Sequence, residues 1–203
     1  MRMSEKKATF KIKTRTKSPE IRQNELMEAA QGLFIEKGFE GVAISEITDC
    51  AGVAKGTFYH YFSSKSEIME ALRERYTLNF TDKVQRELKR SPESDLIARF
   101  RTWCITSVSV YVESKKVHDA LFHGDFHAHG NRERDAILEQ INGLVSEGVR
   151  TGCFHSRNIC LTSILIYHGF HGAVDSMECM NSSTNNLGNE LADELLKLLK
   201  VTI

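Results

Sequence analysis

Ala51-Gly52-Val53-Ala54-Lys55-Gly56-Thr57-Phe58-Tyr59-His60-Tyr61-Phe62 is the stretch on which the fold turns. Just before it, Ile44, Ile47 and Ala51 put one apolar face on a short helix that stops at Gly52. Val53 opens a turn, and Gly56 to Phe62 forms a second short helix. Two short helices joined by a glycine-containing turn are the helix-turn-helix pattern. Isolated helices below about 12–15 residues are marginal in water. Both must therefore rest on the helix before them, with Leu33 and Phe34 against Ile47 and Phe62. Phe58 and Phe62, four residues apart, share the apolar face. That leaves Tyr59 and Tyr61 for the surface.

The preceding helix starts at Ser18-Pro19, where serine caps and proline needs no N–H in the first turn. Ile21, Leu26, Ala29, Ala30, Leu33 and Phe34 recur at helical spacing, and Lys37-Gly38 ends the segment. The same Ser-Pro-Glu context at Ser91-Pro92-Glu93 predicts another helix start. Ser64-Lys65-Ser66-Glu67 reads as a capping box, with Glu67 returning the bond to Ser64. It opens a long helix whose stripe Ile68, Leu72, Tyr76, Phe80, Val84 and Leu88 runs to about Arg90. Further helices are predicted over 93–112, 115–123, 131–150, 158–179 and 185–201. The fold class is all-α. A basic arm (1–17) precedes an N-terminal three-helix domain with a helix-turn-helix (18–63), followed by a helical regulatory and dimerisation domain (64–203).

Composition narrows the classes. The 203 residues hold 27 basic and 27 acidic side chains. Residues 1–22 nevertheless carry eight basic residues against two acidic ones, a net of +6, so the remainder is −6. Residues 23–75 hold five basic and nine acidic residues, so any nucleic-acid contact there depends on placed side chains and on the arm rather than on bulk charge. Five cysteines without a C-x-x-C pair suit a reduced, cytoplasmic chain. No stretch approaches the roughly 18 apolar residues of a membrane span, and no signal-peptide core is visible.

The second short helix has the make-up of a recognition helix, which offers small or polar side chains to base edges while nearby cations hold phosphates. Lys55, Gly56 and Thr57 stand at its start, where a residue without a side chain permits close backbone approach. Tyr59, His60 and Tyr61 follow one turn on, and Lys65 adds a cation at the foot of the next helix.

Residues 18–72 resemble the DNA-binding domain of the TetR/AcrR family of bacterial transcriptional regulators. The resemblance rests on Arg22, Ala29-Ala30 with Leu33-Phe34, Lys37-Gly38-Phe39, Glu46-Ile47, and the run from Ala51 to Phe62 followed by Ser64-Lys65. It implies that Ser45 and Lys55 approach bases. It places Gly56, Thr57, Tyr59, His60 and Tyr61 along backbone and groove, and Lys65 on phosphate. Two positions depart from the pattern: Ala43 stands where many relatives have a capping Ser or Thr, and Thr48 replaces a frequent Ala. The resemblance further implies a homodimer that sets two recognition helices in successive major grooves of a palindromic operator, which doubles the contacts of one short helix. The arm would add an electrostatic attachment.

Beyond residue 72 the resemblance is architectural and implies a ligand cavity and a dimer interface. Glu147 to Phe154 is similar to the turn before the last two helices of many relatives. Gly169, Gly172 and Ala173 would let the penultimate helix approach a neighbour closely. Leu187, Leu191, Leu195, Leu196, Leu198 and Leu199 give the last helix a broad apolar face that would be exposed without a partner. Phe100, Trp103, Tyr111, Phe122, Phe126 and Tyr167 are candidate walls of an apolar pocket. The ligand-binding set expected is Phe100, Trp103, Phe126, His127, Tyr167, His168 and His171.

The expectation is a ligand-responsive regulator, a repressor that a small-molecule effector releases from operator DNA. No catalytic residue, cofactor, metal or membrane partner is expected. One alternative is a His-rich metal-binding protein or metal-dependent enzyme built on His123, Asp125, His127 and His129, with His168 or His171. Another is a helical adaptor that dimerises without binding DNA.

Overall fold

A computed structural model describes residues 18–122, 132–176 and 184–200. They form eight helices: α1 (Pro19–Lys37), α2 (Ile44–Cys50), α3 (Lys55–Tyr61), α4 (Lys65–Leu88), α5 (Leu96–Phe122), α6 (Arg132–Arg150), α7 (Ile159–Asp175) and α8 (Thr184–Leu198). The basic arm and the His123–His129 segment lie outside the described residues.

Helix α1 begins as expected, with Ser18 Oγ accepting from Ile21 N at 3.4 Å and Pro19 in the first turn. It buries Leu26, Met27, Ala30 and Phe34. Ile21, at 48% exposure, stays outside. The helix-turn-helix closes through Ala51 N to Ile47 O (2.9 Å) and Val53 N to Thr48 O (2.9 Å), and Gly52 sits at φ 64°, a region that L side chains rarely enter. The two departures from the family pattern are locally compensated. Ala43 has no side-chain acceptor, but its N–H donates to Glu46 Oε2 at 2.8 Å. The buried Thr48 hydroxyl donates to Ser45 O at 2.9 Å.

Helix α4 begins at Ser64, whose Oγ accepts from Glu67 N (3.1 Å). The return bond goes one residue further back than expected. Glu67 Oε2 accepts from both Ser63 N and Ser63 Oγ at 2.6 Å, because Ser63 offers two donors to one carboxylate. The stripe from Ile68 to Leu88 is buried except at half-buried Tyr76, which faces a cavity.

The region after Pro92 differs from expectation. Pro92 lies in a turn, and the helix starts after Asp95, whose Oδ1 accepts from Ala98 N at 2.9 Å. Asp95 outcompetes the serine as a cap because its carboxylate has two oxygens and a charge near the helix N-terminus. The helices expected over 93–112 and 115–123 are one continuous α5 of 27 residues. Glu113 to Lys116 contains no glycine or proline, Ser114 Oγ donates to Val110 O (2.6 Å), and Lys115 pairs with Asp119 (2.7 Å) across one turn.

Two apolar cores result. The first joins Leu26, Ala30, Phe34, Ile47, Phe58 and Phe62 to Ile68, Met69 and Leu72 of α4 and to Leu121 at the end of α5. The second surrounds Trp103, with Phe100 and Phe154 on one side and Phe170 and the α8 leucines on the other. The α8 face expected to need a partner is satisfied internally. Leu187, Leu191, Leu195, Leu196 and Leu199 are buried, and only Leu198, 45% exposed, points out. Helix α8 lies along α5, and Gly188 admits the Ile105 backbone, to which an added Cβ would stand 2.8 Å away. Gly169 serves the same intramolecular packing, since its position faces Leu195.

Gly148 of α6 lies directly under the Phe154 ring, and any Cβ there would overlap ring atoms. Phe154 is buried and held by its N–H to Gly148 O at 2.9 Å, so it cannot simply swing away. Alanine normally gains about 1 kcal/mol over glycine in a helix. Here overpacking, at about 1–3 kcal/mol, opposes that gain. Gly148→Ala is therefore expected to lower the urea unfolding midpoint rather than raise it.

Candidate functional site

The N-terminal unit holds α3 by one face and presents the other. Phe58 and Phe62 are buried, with ring centroids 5.9 Å apart. Between and before them, Lys55, Gly56, Tyr59 and His60 are exposed, while Thr57 and Tyr61 are half-buried. Tyr59 leans edge-on against Phe58 at 5.5 Å, and His60 against Tyr61 at 4.9 Å, so both rings are braced without being covered. Among the described residues, nothing lies within 4 Å of a Cβ added at Gly56. Ser45 is exposed on α2, the helix packed against α3. The outer surface thus carries one ammonium, one imidazole, two phenols and two small hydroxyls on a rigid support.

Lys65, expected on phosphate, is engaged within the protein. Its Nζ donates to Phe39 O (2.6 Å) and Val42 O (2.9 Å), lies 3.4 Å from Glu40 O, and sits 4.3 Å above the Phe39 ring. The ammonium fastens the α1–α2 loop, because three carbonyls there converge where its three donors can reach them. Nearby, Lys37 Nζ donates to Glu46 Oε1 at 2.7 Å. The Ala43 N–H and this ammonium hold the Glu46 carboxyl below the usual carboxylate range.

A cavity of about 200 Å³ lies among α4, α5, α6 and α7. Helix α4 contributes Tyr76, Thr77 and Phe80, and α5 contributes Tyr111, His118 and Phe122. The far wall is Glu133, Arg134 and Ile137 of α6 with Tyr167, Phe170 and His171 of α7. Tyr76 Oη lies 3.0 Å from Ser114 Oγ, and Tyr111 Oη donates to Asp175 Oδ1 at 2.8 Å. Burial pushes both phenols up, and for Tyr111 the Asp175 carboxylate adds to the effect. The buried His118 ring stands 4.8 Å from Tyr111, 5.1 Å from Phe122 and 6.1 Å from His171.

Of the expected ligand residues, Tyr167 and His171 line this cavity, as do Tyr111 and Phe122 from the candidate walls. Phe100 and Trp103 do not: both are fully buried in the second core, where α6, α7 and α8 close over them. His168 is exposed, on the side of α7 away from the core. Phe126 and His127 lie outside the described residues. Sequence reasoning missed Tyr76, Phe80, His118 and the first turn of α6. Tyr76 and Phe80 sit in a four-residue stripe that reads as core, and nothing local separates core from cavity wall.

The last turn of α5 belongs to both halves of the molecule. Leu121 is inserted in the first core, whereas His118 and Phe122 form cavity wall. Arg73 Nε donates to Leu121 O at 2.7 Å, and its guanidinium lies 5.6 Å from the Phe122 ring. On the outside, α7 leaves Leu161 (53%), Ile164 (36%) and Leu165 (50%) exposed, on the side that also carries His168 and Gly172. Among the described residues no group of three His, Cys, Asp or Glu side chains is placed to hold a metal ion, and no helix is long and apolar enough to cross a membrane.

An exposed, polar second helix of a helix-turn-helix, joined to a helical bundle with a cavity, is the architecture found in DNA-binding proteins of the helix-turn-helix class. Residues 26–72 match the family model described as bacterial regulatory proteins, tetR family. The HTH-type transcriptional activator FasR of Mycolicibacterium smegmatis is 33% identical over 73 residues, which cover 36% of this chain and 33% of the relative. The HTH-type transcriptional repressor KstR2 of Rhodococcus jostii is 24% identical over 144 residues, 66% of this chain and 69% of the relative. Across most of its length the chain has the fold of the transcriptional regulator FadR from Bacillus subtilis, solved with stearoyl-CoA. That match has a TM-score of 0.75 at 18% identity and covers 86% of this chain and 98% of the other. The chain thus spans about a third of the length of the first curated relative. Residues 26–72 are thus a helix-turn-helix unit of the tetR family type, and the chain as a whole shares its fold with solved regulators of that kind.

Proposed function

We propose that the protein is a repressor that binds a palindromic operator as a homodimer and is released when a small molecule occupies the α4–α7 cavity. The observation that carries this reading is the outer surface of α3, where Lys55, Thr57, Tyr59, His60 and Tyr61 stand on a support fixed by Phe58 and Phe62. Ser45 of α2 extends the same contact set. The exposed α7 face of Leu161, Ile164 and Leu165 supports dimerisation, since such a contiguous apolar surface is better covered than hydrated. Release needs the effector to bind one arrangement of the dimer more tightly than another. Helix α5 supplies a lever for this, because its last turn is both cavity wall and part of the N-terminal core.

The test is retention of DNA from the protein's own promoter region on a native gel. Sequence-specific retention that weakens steeply with salt is expected. Absence of specific retention for every such fragment would sink the reading and favour an adaptor that has lost DNA binding.

A further inference from the structure

We infer that the α4–α7 cavity is a site for a compact, uncharged aromatic molecule with one hydrogen-bond acceptor, not for a long acyl chain or an organic ion. The inference rests on the regulator reading above for its biological sense, but the site itself is argued from the cavity.

Size sets the first limit. About 200 Å³ lies below the roughly 300–1,000 Å³ of pockets for drug-sized ligands. At about 30 Å³ per water-sized group it holds roughly seven such groups, the bulk of a benzene ring with a short substituent. A stearoyl chain, on the same rough scale, needs more than twice that room. The stearoyl-CoA bound by the similarly folded FadR is therefore a poor guide to what this cavity takes.

The lining sets the second. Eight of the twelve described lining residues carry an aromatic ring. They line the space from four helices, and most neighbouring pairs are tilted or edge-on, as for Tyr111 with His118 (63°) and Tyr167 with His171 (54°), while His118 and His171 lie closer to parallel (29°). Walls at such angles offer both faces and edges to a planar guest.

Charge and hydrogen bonding set the third. Glu133 and Arg134 give the lining one acidic and one basic side chain; exposed Arg134 is paired with Asp135 at 3.2 Å, and half-buried Glu133 already acts electrostatically on the Arg73 guanidinium. Asp175 already accepts the Tyr111 hydroxyl, and Asp119 already pairs with Lys115. An ion placed among the rings would lose its hydration without gaining an uncommitted counter-charge. Of the three lining phenols, Tyr76 is engaged with Ser114 and Tyr111 with Asp175, whereas Tyr167 takes no hydrogen bond from the described residues. Half-buried Tyr167 lies in the cavity lining, and burial raises its pKa, so its hydroxyl keeps its proton and can donate to an acceptor on a guest.

An isosteric series tests this on the full-length protein by titration calorimetry: benzamide (neutral), benzoate (anion) and benzamidinium (cation), with toluene as the ring without an acceptor and stearoyl-CoA as the long chain. Benzamide is expected to bind saturably, at least tenfold tighter than either ion or stearoyl-CoA. Tyr167→Phe should weaken benzamide about threefold to tenfold and leave toluene unchanged, since it removes one neutral hydrogen bond. Ile137→Trp, which fills the cavity from α6, should abolish binding of both while the far-ultraviolet circular dichroism stays that of the folded protein. Tightest binding by an ion or by stearoyl-CoA, no binding by benzamide, or equal loss of benzamide and toluene in Tyr167→Phe overturns the inference. Operator retention measured on the same preparation separates the two readings: retention without benzamide binding defeats only the ligand class, and failed retention with benzamide binding defeats only the regulator.

Discussion

Lys55→Ala combined with Tyr59→Ala is expected to abolish operator retention while leaving the fold intact. Both side chains are exposed, and neither forms a hydrogen bond or ion pair within the described structure, so truncation costs the folded state little. Tyr59 loses an edge-on contact with Phe58, but Phe58 keeps its place through Phe62 and the rest of the first core. On DNA each side chain would act once per protomer. A direct base or phosphate contact is worth about 1–3 kcal/mol, so two contacts in each half of a dimer amount to about 4–12 kcal/mol, beyond the range of a gel assay at ordinary protein concentrations. Far-ultraviolet circular dichroism and the unfolding temperature should match the unsubstituted protein. Retention within threefold of the unsubstituted value would show that α3 does not read DNA.

Phe58→Ala acts through the opposite face of the same helix. Phe58 is fully buried, and its ring meets Phe62 at 5.9 Å within the core that α1, α2 and the first turns of α4 share. Removing a buried aromatic ring typically costs about 3–5 kcal/mol, from lost transfer energy and the cavity left behind. A seven-residue helix has no independent stability to offset that loss. Leu121 of α5 is inserted in this core, so the damage should reach the cavity end of the molecule as well. The expected result is a lower urea midpoint together with earlier hydrogen exchange of α3 amides. A change of less than 1 kcal/mol would show that the three-helix unit can collapse around the gap.

Residues 55–62 show how these two effects come to alternate along one helix. Four-residue spacing put Phe58 and Phe62 on the inner face and Tyr59 on the outer one, and both placements are found in the structure. Lys65 could not be read in the same way. Its neighbours in sequence suggested phosphate, while the carbonyls of Phe39, Glu40 and Val42 that hold it lie more than twenty residues away along the chain. The cavity was the least legible feature. Trp103 and Tyr111 sit on the same helix and have the same aromatic character, yet one is sealed under α7 and α8 and the other opens onto space between α4 and α7.

By itself, then, the sequence determined the helical class, most element positions and the two faces of the helix-turn-helix, since these follow from periodicity, caps and spacing within a few turns. It misplaced the start of α5 and broke that helix in two, because Asp95 and Ser91 compete as caps within four residues and the polar Glu113–Lys116 stretch resembles a boundary. Only the tertiary structure decided what α8 covers, where Lys65 spends its charge, and which rings line a cavity rather than fill a core. Those outcomes depend on how helices distant in sequence meet, and a ring's neighbours across an interface are not encoded in its own local spacing.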